Sequence, residues 1–148
     1  MKKYKSTISN VGLCWKKSNF LKAKLINSKD AAEYARQFFS DDINIYESFF
    51  LILLNQANNT IAWVKISQGG ISSSVVDIRI IAKYCIETFA AAVILCHNHP
   101  TGTLQASNQD INITKKIKET LALFDSKVLD HIILTEESHY SFADEGIL

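Results

Sequence analysis

Apolar and polar positions fall into blocks whose spacing alternates between that of a helix and that of a strand. Residues 1–27 alternate loosely, which suits an extended arm or one or two strands. In SKDAAEYARQFF, Ala31, Tyr34, Ala35 and Phe38 recur at helical spacing, with Ser28 as the expected N-cap. ESFFLILLNQANNTIAWVKIS holds two β-favouring apolar runs around residues 56–59, where Asn58 and Asn59 tolerate left-handed backbone. That pattern predicts a β-hairpin, broken after its second strand by the QGG at 68–70. DIRIIAKYCIETFA predicts a helix with Ile78, Ile81, Ala82 and Cys85 inward. AAVILC is apolar without alternation, as a strand covered on both faces should be. Ser107 is placed to cap a further helix carrying Ile113, Ile117, Leu121 and Phe124 on one face, and KVLDHIILTE and HYSFAD close the chain as strands.

The order helix, hairpin, helix, buried strand, helix, strand pair predicts an α/β (α+β) fold, a mixed β-sheet flanked by helices. A chain of 148 residues is long enough to bury a core as one domain, and with 47% apolar and 21% charged residues it reads as globular. There is one proline, no repeat and no low-complexity tract, so no linker is expected. The expected organisation is a basic arm over residues 1–27 packed on a domain over 28–148.

Charge is also unevenly distributed along the chain. Residues 1–30 hold eight lysines against Asp30 alone, while the remainder is acidic and the whole chain nets +1. Such an arm could touch nucleic-acid phosphates, or simply be a solvated edge. Cys14, Cys85 and Cys96 are odd in number and lack CxxC spacing, which argues against a disulfide framework and fits a reducing cytoplasm. The start, MKKYKSTISN, has lysines without an apolar stretch behind them, so no secretory signal is expected. The longest apolar run, FAAAVILC, is too short for a membrane span.

Candidate chemistry concentrates in CHNHPTGTLQASNQD, residues 96–110. On an extended backbone His97 and His99 project to one side and Asn98 to the other, and Pro100 ends the strand. Two imidazoles on one side suit two corners of a tetrahedral metal site. Asp110, in the first turn of the helix capped by Ser107, is placed to supply a third ligand. Two histidines and a carboxylate leave one zinc position open to water, the arrangement of a catalytic site.

The same residues resemble a family. His97-Asn98-His99-Pro100, six residues, then Ser107 and Asp110 match the H-x-H-P…S-x-x-D signature of the JAB/MPN metalloenzymes, known as the JAMM motif. Asn98 between the histidines, AAVILCHNHPTG, KVLDHIIL and the ending YSFADEGIL are similar to the RadC branch. The likeness runs from about residue 26 to the C-terminus. It implies a three-layer, cytidine-deaminase-like architecture and a minimal form without the N-terminal helix-hairpin-helix region. Gln105-Ala106 stands where RadC-type loops commonly have proline before the serine, and Thr101 replaces a usual serine. Neither is a ligand position.

The resemblance further implies a general acid/base, Glu47, which would hydrogen-bond the water on the metal and take its proton. Glu87 lies mid-helix without a family equivalent. Ser107 would, by the same resemblance, support the oxyanion as well as cap the helix. Cys96 points away from His97 by strand alternation, and His131 and His139 are expected in core or surface roles. H-x-E with P-C-x-x-C, HExxH, P-loop and dinucleotide glycine patterns are all missing, which excludes those chemistries. The expected function is a zinc (Zn2+) hydrolase of peptide or isopeptide bonds acting on a peptide or protein substrate. The alternatives are a DNA-associated factor and a non-catalytic binding module.

Overall fold

The computed structural model describes residues 10–12, 14–39, 42–70 and 75–148. The arm's first nine residues, with Lys2, Lys3 and Lys5, lie outside the described residues. Eight elements follow in order: α1 (Ser28–Arg36), β1 (Ser48–Leu54), β2 (Thr60–Gln68), α2 (Ile78–Thr88), β3 (Ala92–Asn98), α3 (Asn108–Ala122), β4 (Lys127–Leu134) and β5 (His139–Ser141). The strands form one sheet in the order β2-β1-β3-β4-β5. It is mixed: β3 and β4 run parallel, and the other pairs are antiparallel.

Every residue of β1 and β3 is buried, so each strand feeds two cores. Phe50, Ile52, Leu54, Ala92, Ile94 and Cys96 face α1, whose Ala31, Ala32 and Ala35 let its backbone approach the sheet. Phe49, Leu51, Leu53, Val93 and Leu95 face the other way, onto Ile81 and Cys85 of α2 and Ile117 and Leu121 of α3. The result is the three-layer, mixed-sheet α+β architecture. On the α1 side, Phe38 stacks on Trp63 at 4.9 Å between ring centroids, and Phe20 joins them at 5.5 and 5.4 Å. Phe20 brings residues 20–25 onto this face, where Leu25 is buried and Lys24 forms an isolated bridge to Asn59.

Two expected details fall elsewhere. The α1 N-cap is Asn27, not Ser28: the Asp30 amide donates to Asn27 Oδ1 at 2.9 Å, while Ser28 donates its hydroxyl to Asp144 at 2.5 Å. An amide side chain one residue earlier satisfies the same exposed amide, which frees Ser28 to tie the helix to the C-terminal turn. Phe124 was expected on the inner face of α3, but the helix closes at Ala122. The chain then turns through Asp125 at φ 55°, leaving Phe124 49% exposed. Among the described residues no helix is long and apolar enough to cross a membrane.

α2 ends on Phe89, held in the left-handed region at φ 51° while the Ala90 amide donates to the Cys85 carbonyl at 3.1 Å. Phe89 is 91% exposed, so its ring gains little from burial while its backbone carries the steric cost of that conformation. Phe89→Gly should therefore raise stability by up to about 1 kcal/mol, after allowing for the greater freedom of glycine in the unfolded chain. Urea denaturation of the two proteins checks this; a lower midpoint for the variant would contradict it.

Candidate metal centre

The carboxyl end of β3 and the amino end of α3 meet beyond the carboxyl end of the parallel pair β3–β4, the usual position for a site in such sheets. β1 pairs with β3 so that Phe49 lies opposite His97, and the two rings stack at 5.9 Å with 10° between their planes. Continued for two residues, this register brings Glu47 opposite His99. Its backbone there is held against the next segment, since the Glu47 amide donates to the Gly70 carbonyl and the Gly69 amide to the Glu47 carbonyl.

His97 is 1% exposed. Its Nε2 lies 2.9 Å from His99 Nε2 and 3.4 Å from Asp110 Oδ1, and His99 Nε2 lies 3.7 Å from Asp110 Oδ2. One ligand atom from each of the three residues can be chosen so that all lie within 4.8 Å of one another. Tetrahedral zinc with arms of about 2.1 Å has edges of about 3.4 Å, so the spacing fits that ion. The donor chemistry fits too. His99 Nδ1 lies 2.8 Å from the Thr103 carbonyl, which only accepts, so Nδ1 carries the hydrogen and neutral His99 offers a bare Nε2. That carbonyl is aimed by the turn over 99–102, where the Gly102 amide donates to the His99 carbonyl and Gly102 takes φ 81°. The left-handed backbone there favours glycine.

Asp110 is fixed by a reciprocal capping box. Its amide donates to Ser107 Oγ at 3.1 Å, and its Oδ2 accepts from the Ser107 amide at 2.8 Å and hydroxyl at 2.6 Å. The single hydroxyl hydrogen of Ser107 is therefore on Asp110 in this arrangement. Glu47 and Ser107 line the same cleft as the three clustered side chains, a cavity of about 700 Å3 whose apolar wall includes Phe49, Val76 and Ile113. Glu87 belongs to α2 and is not part of that lining.

Electrostatics act differently on the three residues. Burial lowers the His97 pKa to about 4 against the pull of the Asp110 charge, so its ring is neutral near pH 7. Burial also works against the charge of His99, but the Asp110 carboxylate, the Thr103 carbonyl and the Glu47 charge outweigh it and raise its pKa. Asp110 is pushed up by burial and more strongly down by His99, His97 and Ser107, which leaves it ionised.

Two further residues belong to the site that sequence reasoning did not assign to it. Asn98, fully buried, points to the opposite side from the histidines. Its amide donates to the carbonyls of Ile43 at 2.6 Å and Tyr46 at 2.8 Å, and its Oδ1 accepts from the Ser48 amide at 2.8 Å. The residue between the two histidines thus staples the segment that carries Glu47. The available signal was an amide inside an apolar strand, which must find partners wherever the strand is buried. His131, expected in a core or surface role, is buried with Nε2 at 2.7 Å from His97 Nδ1. Its partner Thr114 lies at 2.6 Å. His139 lies in β5 and is not part of the cleft lining. Cys96 faces α1, away from His97, and burial pushes its thiol well up.

The sequence matches the family described as RadC-like JAB domain over residues 25–147. It is 43% identical over 124 residues to a UPF0758 protein of Flavobacterium johnsoniae, covering 84% of this chain and 53% of the relative. It is 37% identical over 128 residues to one of Coprothermobacter proteolyticus, covering 85% and 54%. A third, from Porphyromonas gingivalis, is 38% identical over 103 residues, covering 69% and 45%. The chain spans about half the length of the curated relatives it matches.

Two outcomes follow from this geometry. Asn98→Ala strands two carbonyls and one amide, which should cost about 3 kcal/mol at roughly 1 kcal/mol per bond. Hydrogen exchange should accelerate over residues 43–48; unchanged protection there would show that Asn98 does not hold the Glu47 segment. The second concerns pH. His97 has a folded pKa below its unfolded value of about 6.5, so its contribution is complete above that pH. It is lost as pH falls from 6.5 through 4, because the unfolded chain takes up a proton that the folded chain refuses. The loss approaches about 3 kcal/mol. Urea midpoints of the metal-free protein should fall over that window, and less so in His97→Asn. Asp110 weakens the fold only below its own unfolded value of 3.8, which separates the two.

Proposed function

Because the chain belongs to the RadC-like JAB domain family, we propose that it is a zinc-dependent hydrolase cleaving a peptide or isopeptide bond. The observation that carries this reading is the convergence of His97 Nε2, His99 Nε2 and Asp110 on the floor of a cleft that Glu47 and Ser107 also line. In this reading His97, His99 and Asp110 hold the ion. Zinc in such a site supplies Lewis acidity and lowers the pKa of a water it binds toward about 7.

The remaining work falls to the chain. Glu47 takes a proton from the attacking water and returns it to the leaving amine, which a carboxylate beside the metal-binding histidines is suited to do. Burial keeps His97 neutral, and the Thr103 carbonyl holds the His99 hydrogen on Nδ1, which turns Nε2 toward the ion. Ser107 donates its hydroxyl to the developing oxyanion, turning away from Asp110 while its own amide keeps hold of that carboxylate. Phe49, Val76 and Ile113 give the cleft an apolar wall that strengthens charge interactions beside it. Peptide or protein is the substrate class that this chemistry fits, and the free cysteines Cys14, Cys85 and Cys96 fit a cytoplasmic address.

Glu47→Gln tests the assignment. The variant should bind one zinc per chain like the parent, while its rate on a pool of linear and isopeptide-linked peptides falls by about 10^2- to 10^4-fold. New amines detected by mass spectrometry give the rate. Parent-like cleavage by the variant would remove Glu47 from the mechanism, and an absence of zinc from the parent would remove the reading altogether.

A further inference from the structure

The chemistry above leaves one buried imidazole without a task, and that imidazole touches the metal centre. His131 is fully buried, with the rings of Phe49 at 5.5 Å and Phe142 at 4.6 Å against it. It reaches the site because β4 breaks its alternation. Val93 pairs with Val128 but Ile94 pairs with Asp130, so Leu129 is an extra residue, a β-bulge. Val128 faces α2 and α3, and strict alternation from it would send His131 to the α1 side. The bulge reverses the phase: Ile132 and Leu134 face α1 and His131 faces His97. Bulges beside sites re-aim side chains in this way.

The hydrogen bonds around His131 have a direction. Thr114 donates its one hydroxyl hydrogen to the Asp110 carbonyl at 2.6 Å, so at 2.6 Å from His131 Nδ1 it accepts. His131 Nδ1 then carries the hydrogen and Nε2 is bare. His97 Nδ1, 2.7 Å away, donates to it, which leaves His97 Nε2 as a lone pair directed at the cluster. The chain of bonds therefore runs from one ligand ring, through His131 and Thr114, to the backbone of Asp110, the ligand on the other element. It ends on a carbonyl, which neither takes up nor releases a proton at ordinary pH, so it holds groups in place and carries no proton away.

We propose that His131 and Thr114 are positioning residues. They fix the tautomer of His97 and the spacing between the β3 ligands and the α3 ligand, and so set the zinc affinity of the centre. This rests on the zinc reading above.

The test uses the full chain. Thr114→Val removes the hydroxyl at nearly constant shape, and Thr114→Ser keeps it. Zinc affinity at pH 7, by competition with a chromogenic chelator, should weaken about 10- to 100-fold in Thr114→Val and stay within about threefold in Thr114→Ser. Thermal unfolding of the zinc-free variants guards against a general loss of fold. In the parent protein, imidazole nitrogen NMR should find His131 and His97 each protonated on Nδ1. Parent-like zinc affinity in Thr114→Val overturns the proposal, and so does a His131 protonated on Nε2. A parent that binds no zinc overturns the zinc reading instead, and the tautomers then decide whether the bond chain exists.

Discussion

The antiparallel pairing of β1 with β3, in the register that sets Phe49 against His97, governs which side chains can meet at the cleft. Side chains alternate with a period of two, so a slip of one residue would turn His97 toward α1 and Asn98 toward the cleft. Three constraints oppose such a slip. Both strands are buried on both faces and packed against different helices, so either face would lose its partners. Asn98 is bonded to Ile43, Tyr46 and Ser48, and those bonds exist in one register only. The stacked rings of Phe49 and His97 add a third. Because the strand that presents the histidines also holds the segment of Glu47, the backbone position of Glu47 follows from that of the histidines.

Burial does the electrostatic work. The sheet and α3 exclude water from His97 and His131 and keep both neutral, while the half-buried Asp110 remains ionised because histidines and Ser107 surround it. The arrangement brings imidazole nitrogens and one carboxylate together in the cleft. Asp130, the neighbour of His131, serves the opposite face: its carboxylate accepts from the Ser141 hydroxyl and the Ala143 amide and pins the C-terminal turn. Adjacent polar residues in β4 thus divide between building the fold and supporting the site, and the bulge separates them.

How much of this the sequence disclosed depended on how local the relation was. His97, His99, Ser107 and Asp110 lie within fourteen residues, and strand alternation plus helix capping suffice to bring them near one another. The central sheet was legible for a similar reason, since SFFLILL and AVILC are apolar throughout. Glu47 came from family resemblance alone, because nothing within IYES distinguishes it from a solvated acid. His131 was expected in a core or surface role and not beside His97, because a bulge cannot be counted from alternation and its partner Thr114 lies on a different element. The N-cap of α1 moved by one residue and Phe124 left its helical face because ends are decided by single hydrogen bonds, which periodicity does not resolve.

Diffraction from zinc-equilibrated crystals, recorded on both sides of the zinc absorption edge, tests the central claim most directly. The account predicts one anomalous peak about 2.0–2.2 Å from His97 Nε2, His99 Nε2 and an Asp110 oxygen, with its open side toward Glu47. A zinc-saturated crystal with no peak among these three residues, or with its peak elsewhere, would contradict it.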